Sequence, residues 1–500
     1  MTLPDLAPCL SLGAEGWGAL GRRLRSVGLT SRALEPYLKL AYSSHESLRA
    51  PMAKWNLRRD PAPCAVALRM FAFWDPVTRE EARGALGAEL SPERWLELGV
   101  LREAAGGGLV SRFVLRMVDD LYVLSDDLNV GGEAVMGLGP TTEMLIATAR
   151  PAGRIGRALD LGCGAGAIAL ALASTCDRVI ATDISARAVA LTRINAWLNG
   201  ITNVEARTGD LFAPVAGESF DLVLSQPPFV ARDDEAEATT YLFGGARGDE
   251  LVMTLLGGLG PHLAPGGTAA LFVEWPMAEG DAPLEQRVRE ALGPSEDRSV
   301  LVVHWTDWDV DDHCARYTST GHVWQDEAYE RDAMRRRDHF ERMKIRAVRP
   351  TLTLVRRNRG GGGWTATVQG RRPVAGPGVR GELDRLVRAR DLLARGDDVV
   401  RASRLRIADG VRFSAAGPDG MIDVVLPPDR LQSSLSSSEE AMSLVRAVAE
   451  AASVDEGIAR VAEPADAADA LEAVKEALQR GVLDLPGSAC TPEPTPDRTP

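Results

Sequence analysis

The hydrophobic pattern in the middle of the chain alternates between short apolar strands and helices. Ala158–Leu161 is a short, mostly apolar run, and Ala167–Ala173 is apolar on every face and rich in strong helix formers. Arg178–Thr182 repeats the strand pattern, and the next helix begins at a Ser185 cap and stops at Gly200. This order predicts an α/β fold in which helices connect parallel strands.

Five more strand-like runs follow, so the pattern predicts a seven-stranded sheet. They are Asn203–Arg207, Phe220–Leu224, Thr268–Val273, Ser299–Trp305 and Thr351–Arg356. We expect residues 127–359 to form the domain that holds all seven strands.

An insertion separates the last two of these strands. It contains five side chains of metal-binding types, which are Asp307, Asp309, Asp311, Asp312 and His313. A calcium loop of the EF-hand type needs glycine and glutamate where this chain has Asp312 and Thr318, so we favour a solvated loop. A charged helix over 326–343 then opens a basic run that extends to Arg359. A polyanion contact is one interpretation of that run, and a solvated charged face is the favoured one.

The segment before this domain follows another pattern. Residues 1–126 combine a capping box at Thr78–Glu81, a second cap at Ser91 and two strand-like runs, Leu109–Met117 and Leu121–Leu124. Helices followed by a small hairpin predict a helical, winged-helix-like unit. Its role is either substrate docking or dimerisation, or only that of a packing lid.

The segment after the domain carries no catalytic motif. Beyond a glycine run at 360–363, residues 364–486 mix strand and helix patterns, which predicts an α+β domain. Residues 487–500 are rich in proline and threonine and predict a disordered tail.

Composition narrows the class of protein. The 500 residues contain 45% hydrophobic residues, which suits several globular domains. The net charge of −13 argues against binding of nucleic acid over the whole surface. Six scattered cysteines lack disulfide or zinc spacing, and neither a signal peptide nor a membrane span is recognisable. We therefore expect a cytoplasmic protein, and the oligomeric state stays open.

The turn after the first predicted strand carries the first chemical signal. Gly162, Gly164 and Gly166 follow Asp160 with the spacing G-x-G-x-G. A dinucleotide-binding turn would need a glycine in place of Ala167, which argues against a nicotinamide oxidoreductase. The turn resembles motif I of the class I S-adenosylmethionine-dependent methyltransferases.

Later positions extend the resemblance. Asp183 lies about twenty residues past the turn, where an acid accepts hydrogen bonds from ribose hydroxyls. In this family Asp210, next to Leu211, would bond the adenine amine. A Pro-Thr-Thr-Glu segment, in which one threonine would cap a helix, would line the pocket through Thr142. The resemblance implies S-adenosyl-L-methionine as cofactor, bound by these residues, by Asp160 and by the glycine turn.

The fourth predicted strand ends in Gln226, Pro227, Pro228 and Phe229. This segment resembles the Asn-Pro-Pro-Tyr/Phe motif of methyltransferases that act on planar nitrogen, including release-factor glutamine and exocyclic-amine N-methyltransferases. Gln226 stands where the family has Asn or Asp, so its carbonyl reaches one methylene further. The resemblance implies that these four residues are catalytic, with carbonyls near Gln226 and Pro227 accepting the substrate N–H groups and Phe229 stacking on the substrate.

The resemblance covers residues 135–355 and implies a Rossmann-like methyltransferase small domain. The implied reaction is N-methylation of a planar nitrogen, in a protein glutamine or in an RNA nucleobase. Two alternatives stay open. One is a small-molecule methyltransferase, and the other is a non-catalytic S-adenosylmethionine-binding regulatory protein, which the change to Gln226 permits.

Overall fold

The structure is a computed structural model of the chain. It describes residues 2–33, 46–87, 90–128, 132–236, 241–318, 326–360, 362–372, 377–414, 421–427 and 430–487. The tail expected over 487–500 lies outside the described residues, except for Gly487.

Six helices and two small hairpins lie ahead of residue 126 in the described residues. The helices are α1 (Ala7–Ser11), α2 (Gly13–Ser26), α3 (Glu46–Leu57), α4 (Pro63–Ala67), α5 (Arg79–Leu86) and α6 (Pro92–Glu97), with a π-helical turn at Leu68–Ala72. The antiparallel hairpins are β1 (Leu101–Glu103) with β2 (Leu109–Ser111), and β3 (Val114–Val118) with β4 (Leu121–Ser125). The sequence predicts one hairpin here, and the structure has two because the run that starts at Leu109 breaks after Ser111.

Both helix caps predicted in this segment are confirmed. Thr78 Oγ1 accepts the Glu81 N–H at 3.1 Å, and the Glu81 carboxylate accepts the Thr78 N–H at 2.7 Å. Ser91 Oγ accepts the Arg94 N–H at 3.2 Å. Each bond gives a partner to an N–H group that a helix start would otherwise leave unpaired.

The described residues from 155 to 369 contain ten strands, and eight of them form one mixed sheet. They are β5 (Ile155–Leu161), β6 (Cys176–Asp183), β7 (Val204–Thr208), β8 (Phe220–Ser225), β9 (Val230–Ala231), β10 (Phe243–Gly245), β11 (Leu263–Ala278), β12 (Arg298–His304), β13 (Ile345–Arg357) and β14 (Thr365–Gln369). The order across the sheet is β14-β12-β13-β11-β8-β5-β6-β7, and β9 pairs separately with β10. Only β13 runs antiparallel to its neighbours in this sheet. The expected Rossmann-like α/β fold is confirmed.

The sheet has one strand more than the seven that the sequence predicts. The eighth strand, β14, pairs in parallel with β12 and lies past the glycine run at 360–363. The sheet therefore crosses the position where the composition suggests a domain boundary. Gly363 allows the chain to pass there, because a Cβ at this position would lie 2.0 Å from the Arg298 carbonyl oxygen.

Helices cover both faces of the sheet. Seven helices lie between the strands, which are α7 (Pro140–Ala149), α8 (Ala167–Leu172), α9 (Ala186–Asn199), α10 (Glu250–Leu259), α11 (Leu284–Leu292), α12 (Val310–Thr318) and α13 (Glu327–Arg342). Alternate residues of β11 point to opposite faces, so that Ala270 and Phe272 join a core with α7 and α8. Ala269 and Leu271 join the core that α10 and α11 complete. The result is a three-layered α/β/α arrangement, as the alternating sequence pattern predicts.

The N-terminal helices and hairpins pack against α9. Asn195 on α9 accepts the Leu124 N–H and donates to the Leu124 carbonyl, at 2.9 and 2.8 Å. Asn199 makes the same pair of bonds with Tyr122 at 2.9 and 2.7 Å. The helix α2 also lies very close, because a Cβ at Gly21 would be 1.8 Å from the Leu198 carbonyl oxygen. Strand β4 is thus hydrogen-bonded to α9, the helix that follows the Asp183 strand.

The C-terminal part mixes helices and short strands around its own core. Its elements are α14 (Pro377–Leu393), α15 (Asp397–Ala402), β15 (Arg406–Ile407), β16 (Arg412–Phe413), β17 (Met421–Val425), β18 (Leu435–Ser438), α16 (Glu439–Glu450), α17 (Val454–Val461), α18 (Ala467–Gln479) and β19 (Leu483–Asp484). Leu383 and Leu386 of α14 instead join the core under the main sheet. We therefore propose that the C-terminal part is attached to the sheet by both β14 and α14.

Candidate active site

A cavity of about 550 Å³ opens at the carboxyl ends of β5, β6 and β8. That is the edge at which open α/β sheets bind ligands. The cavity is lined by all but two of the site residues that the sequence predicts. Those that line it are Thr142, Gly162, Gly164, Asp183, Asp210, Leu211, Gln226, Pro227, Pro228 and Phe229.

The glycine turn adopts the left-handed backbone that its spacing requires. Gly162 has φ of +78° and nothing within 4 Å of the place that a Cβ would occupy. At Gly164 (φ +52°), a Cβ would lie 3.0 Å from the Met136 carbonyl oxygen. A side chain at either position would strain the backbone or crowd the turn.

Gly166 and Asp160 are the two expected residues that do not line the cavity. A Cβ at Gly166 would lie 2.8 Å from the Thr192 side chain, so this glycine permits the close packing of α8 on α9. Asp160 is fully buried beneath the turn, where its Oδ2 accepts the Ala169 N–H at 2.9 Å. Its Oδ1 has no hydrogen-bond partner among the described residues. Burial, with a smaller contribution from the charge of Asp183, raises the pKa of Asp160 to about 7.

Asp183 lies at the end of β6 and is held by two backbone N–H groups. Gly164 donates to its Oδ2 and Ser185 donates to its Oδ1, each at 2.9 Å. Burial raises the pKa of this carboxyl above its usual range. A carboxylate oxygen has more than one lone pair, so Asp183 can still accept hydrogen bonds from the cavity side.

Asp210 and Leu211 form the wall beyond Asp183. Asp210 is exposed, and Leu211 has a positive φ of +43°. A positive φ is uncommon for a bulky residue, and it costs free energy that the surrounding structure must offset. The chain is thus held in a sparsely populated conformation where it borders the cavity.

Gln226 is fixed by two threonines at the start of α7. Thr142 Oγ1 donates to Gln226 Oε1 at 2.9 Å, and Gln226 Nε2 donates to Thr141 Oγ1 at 2.7 Å. We refer to these three residues as the threonine clamp. The expectation that a threonine caps α7 is wrong. The helix begins at Pro140 with Gly139 as its N-cap, so both threonines lie inside the first turn, and their hydroxyls bond to Gln226 instead.

Phe229 is packed edge-on between two aromatic rings. Its ring centroid lies 5.7 Å from that of Phe272 and 6.2 Å from that of Tyr317. Two glycines of the following loop approach the motif closely. A Cβ at Gly244 would lie 2.5 Å from the Pro228 carbonyl oxygen, and one at Gly248 would lie 2.5 Å from the Phe229 carbonyl oxygen. The motif is therefore enclosed on several sides.

The insertion between β12 and β13 also contributes to the cavity wall, although no motif in its sequence predicts this role. Arg316 and Tyr317 of α12 line the cavity. The Tyr317 hydroxyl donates to Glu274 Oε2 at 2.9 Å, and Glu274 is buried. His313 is also buried, 3.4 Å from the same carboxylate, and burial lowers the pKa of its imidazole. The spacing of Val310, Cys314 and Tyr317, four and then three residues apart, is the helical signal that could have revealed this helix.

The expectation of a solvated loop over 307–313 is wrong in part. His313 is buried, and Asp307 forms a two-pronged ion pair with Arg349 at 2.8 Å. Within the described residues, no three His, Cys, Asp or Glu side chains lie close enough together to hold a metal ion.

Acidic neighbours neutralise much of the basic run after residue 326. Arg335 pairs with Asp233 at 2.8 Å, and Arg337 pairs with Asp311 at 2.7 Å. Arg336 is buried and lies 5.7 Å from the Phe243 ring centroid. These contacts join α13 to the loop around the cavity, so they disfavour a polyanion surface.

Comparison with known proteins matches the segment that builds the cavity. Residues 134–249 match the family model described as the methyltransferase small domain. The chain carries a methyltransferase small domain. This domain is of the class I S-adenosylmethionine-dependent type with an Asn-Pro-Pro-Tyr/Phe-like motif. In the part of the chain that the structure describes, no helix is long and apolar enough to span a membrane.

Several relatives are named release factor glutamine methyltransferases. The protein of Xylella fastidiosa strain Temecula1 is 38% identical over 131 residues, which are 24% of this chain and 47% of that protein. The protein of Bordetella pertussis is 38% identical over 157 residues, which are 28% of this chain and 57% of that protein. The protein of Moorella thermoacetica is 28% identical over 271 residues, which are 52% of this chain and 84% of that protein. The chain thus spans about half the length of the first curated relatives that it matches.

Proposed function

We propose that the chain is an S-adenosylmethionine-dependent methyltransferase that methylates a planar nitrogen, with the side-chain amide of a protein glutamine as the acceptor. The observation that carries this proposal is the position of Gln226. Its amide is fixed at the cavity wall by the threonine clamp, and two prolines and Phe229 follow it. The relatives' name, release factor glutamine methyltransferase, supports glutamine as the acceptor.

The residues around the glycine turn fit the proposed cofactor. The cavity volume is in the range of pockets for small molecules. The Asp183 carboxylate at its wall suits two neighbouring ribose hydroxyls, and the exposed Asp210 suits the adenine amine. Gly162 leaves open space where a Cβ would otherwise stand. We propose that the turn holds the methionine end and that the buried Asp160 supports the turn from below through its bond to the Ala169 N–H.

The acceptor nitrogen requires help from the protein, because the lone pair of an amide is delocalised and nucleophilically weak. When bound, S-adenosylmethionine supplies an electrophilic methyl group. One lone pair of Gln226 Oε1 is used by Thr142, and the other can accept an N–H of the substrate. That bond would favour a pyramidal nitrogen whose lone pair points away from Gln226. Most of the acceleration would come from positioning and from dipoles that are already oriented.

The threonine clamp also lets Gln226 take the place that Asn or Asp has in the family. A longer side chain has one more rotatable bond, and fixing it costs conformational entropy. The clamp holds both ends of the amide, so Gln226 presents its carbonyl in one orientation. Phe229 would stack on the planar acceptor, while Tyr317, held by Glu274, supports the ring of Phe229 from its edge.

A transfer experiment with the full chain tests this proposal. The protein is incubated with methyl-labelled S-adenosylmethionine and lysate fractions that contain protein, RNA or small molecules. We expect label in the protein fraction, with mass spectrometry placing the methyl group on a glutamine side chain. Label only in RNA would support S-adenosylmethionine as the methyl donor but would contradict a protein glutamine as the acceptor. Binding of a nicotinamide dinucleotide without binding of S-adenosylmethionine would refute both.

A further inference from the structure

A second, larger cavity lies at the same edge of the sheet as the first. Its volume is about 1100 Å³, and it opens beside Trp305 at the end of β12 and Gln369 at the end of β14. Strands β5, β8, β11, β12 and β14 all point the same way, so both cavities lie at the carboxyl ends of strands. Four strand spacings separate β8 from β14, which corresponds to roughly 20 Å across the sheet.

Four arginines line this second cavity, and among the described residues only one of them has a carboxylate partner. They are Arg371, Arg372, Arg390 and Arg480. Arg480 pairs with Glu476 at 2.8 Å. The other acidic residue of the wall, Asp307, is already engaged by Arg349. Within the described residues, three positive charges therefore face the cavity without compensation.

Arg390 is the most informative of these arginines. It lies on α14, it is half-buried, and its guanidinium makes no hydrogen bond or ion pair with a described residue. A guanidinium has five N–H donors, and taking it from water without partners costs free energy. Burial accordingly lowers its pKa. An unpartnered cation at the wall of a large cavity is explained if a ligand supplies the missing acceptors.

The chemistry of the wall favours phosphate over carboxylate. A single carboxylate is satisfied by one arginine, whereas a phosphate has more acceptor oxygens and up to two charges to distribute. Neutral donors from Gln432, Ser433 and Ser434 complete the wall, as is usual around phosphate groups. We propose that this cavity is a binding site for a phosphate-bearing ligand, either a nucleotide or the backbone of a nucleic acid. The proposal is independent of the methyl-transfer function.

Binding experiments with probes that lack adenine test this site separately from the first cavity. Uridine triphosphate and a short oligouridylate are titrated into the full chain by calorimetry at low salt, beside an acidic peptide of matched charge. Arg390→Gln and Arg372→Gln remove one charge each from the cavity. Arg404→Gln is the matched control, because Arg404 is exposed, lies outside the cavity wall and has no ion pair with a described residue.

We expect saturable binding of a phosphate probe that weakens about tenfold or more in Arg390→Gln and in Arg372→Gln but not in Arg404→Gln. Tighter binding of uridine triphosphate than of oligouridylate assigns the site to a nucleotide, and the reverse assigns it to nucleic acid. Absence of saturable binding for both phosphate probes overturns the proposal. So does equal binding by wild type and Arg372→Gln, whose exposed side chain can be replaced without disturbing the core. Preference for the acidic peptide overturns the ligand class.

Discussion

The donor half and the acceptor half of the cavity are built in different ways. The donor half comes from one continuous segment, residues 160–211, in which each turn is local. The acceptor half joins three distant segments, around Thr141, Gln226 and Tyr317. The bonds of the threonine clamp connect residues that are 84 and 85 positions apart. Local spacing therefore defines the first half, and tertiary packing defines the second.

This contrast predicts that substitutions in the two halves separate cofactor binding from turnover. Gln226→Ala should have the largest effect. It removes the acceptor for the substrate N–H, so turnover should fall by about 10²-fold or more, as when an oriented dipole is removed from a transition state. The dissociation constant for S-adenosylmethionine, measured by calorimetry, should hardly change. Unchanged turnover would reduce Gln226 to a spacer in a rigid turn.

Asp183→Ala should affect the donor half of the cavity. It removes a charged acceptor for hydroxyl groups, so binding of S-adenosylmethionine should weaken by roughly 10–100-fold. Turnover at saturating cofactor should fall far less than in Gln226→Ala. Circular dichroism checks the fold, since Asp183 also holds the Gly164 and Ser185 N–H groups. Cofactor affinity equal to that of the wild type would remove Asp183 from the site.

Removing one hydroxyl of the threonine clamp should give a smaller effect. Thr142→Val keeps the shape of the side chain and removes the hydroxyl that orients Gln226, so turnover should fall by about 5–10-fold, in line with one hydrogen bond. Thr148→Val is the matched control. Its hydroxyl is on the same helix and bonds only to the carbonyl oxygens of Met144 and Leu145. Similar losses in both variants would indicate damage to α7 and would contradict a clamp.

These contrasts also show what the sequence can predict. The glycine spacing and the acid at the end of β6 follow from backbone geometry, so the donor half and the α/β order could be predicted. Strand β14 could not, because nothing local distinguishes an eighth apolar run that joins this sheet from one that starts another domain. The role of α12 depends on Glu274, Phe229 and Tyr317 meeting in space. The position of Asp160 ahead of the turn predicts direct contact with the cofactor, but the fold buries this side chain underneath the turn.

The pH dependence of stability is an effect of another kind, because it concerns unfolding rather than binding or turnover. Burial raises the pKa of Asp160 to about 7, from an ordinary value of 3.8 that applies in the unfolded chain. Between these values the folded protein holds a proton that the unfolded chain has lost, so the free energy of unfolding falls as the pH rises. Asp160→Asn lacks this titration. Between about pH 5 and about pH 8, the free energy of unfolding should fall in both proteins, and the fall should be smaller in Asp160→Asn. The difference between the two falls should be roughly 1–3 kcal/mol. Urea unfolding measures this difference, and parallel profiles would contradict it.

The central claim is that Gln226 and the threonine clamp act as one unit in the acceptor half, apart from cofactor binding. A double-mutant cycle between Gln226→Ala and Thr142→Val, read as turnover at saturating S-adenosylmethionine, tests it directly. The claim predicts that the double variant is no slower than Gln226→Ala alone, because the hydroxyl acts only through the glutamine. Losses that multiply in the double variant would show that the two side chains act independently, and they would contradict the account.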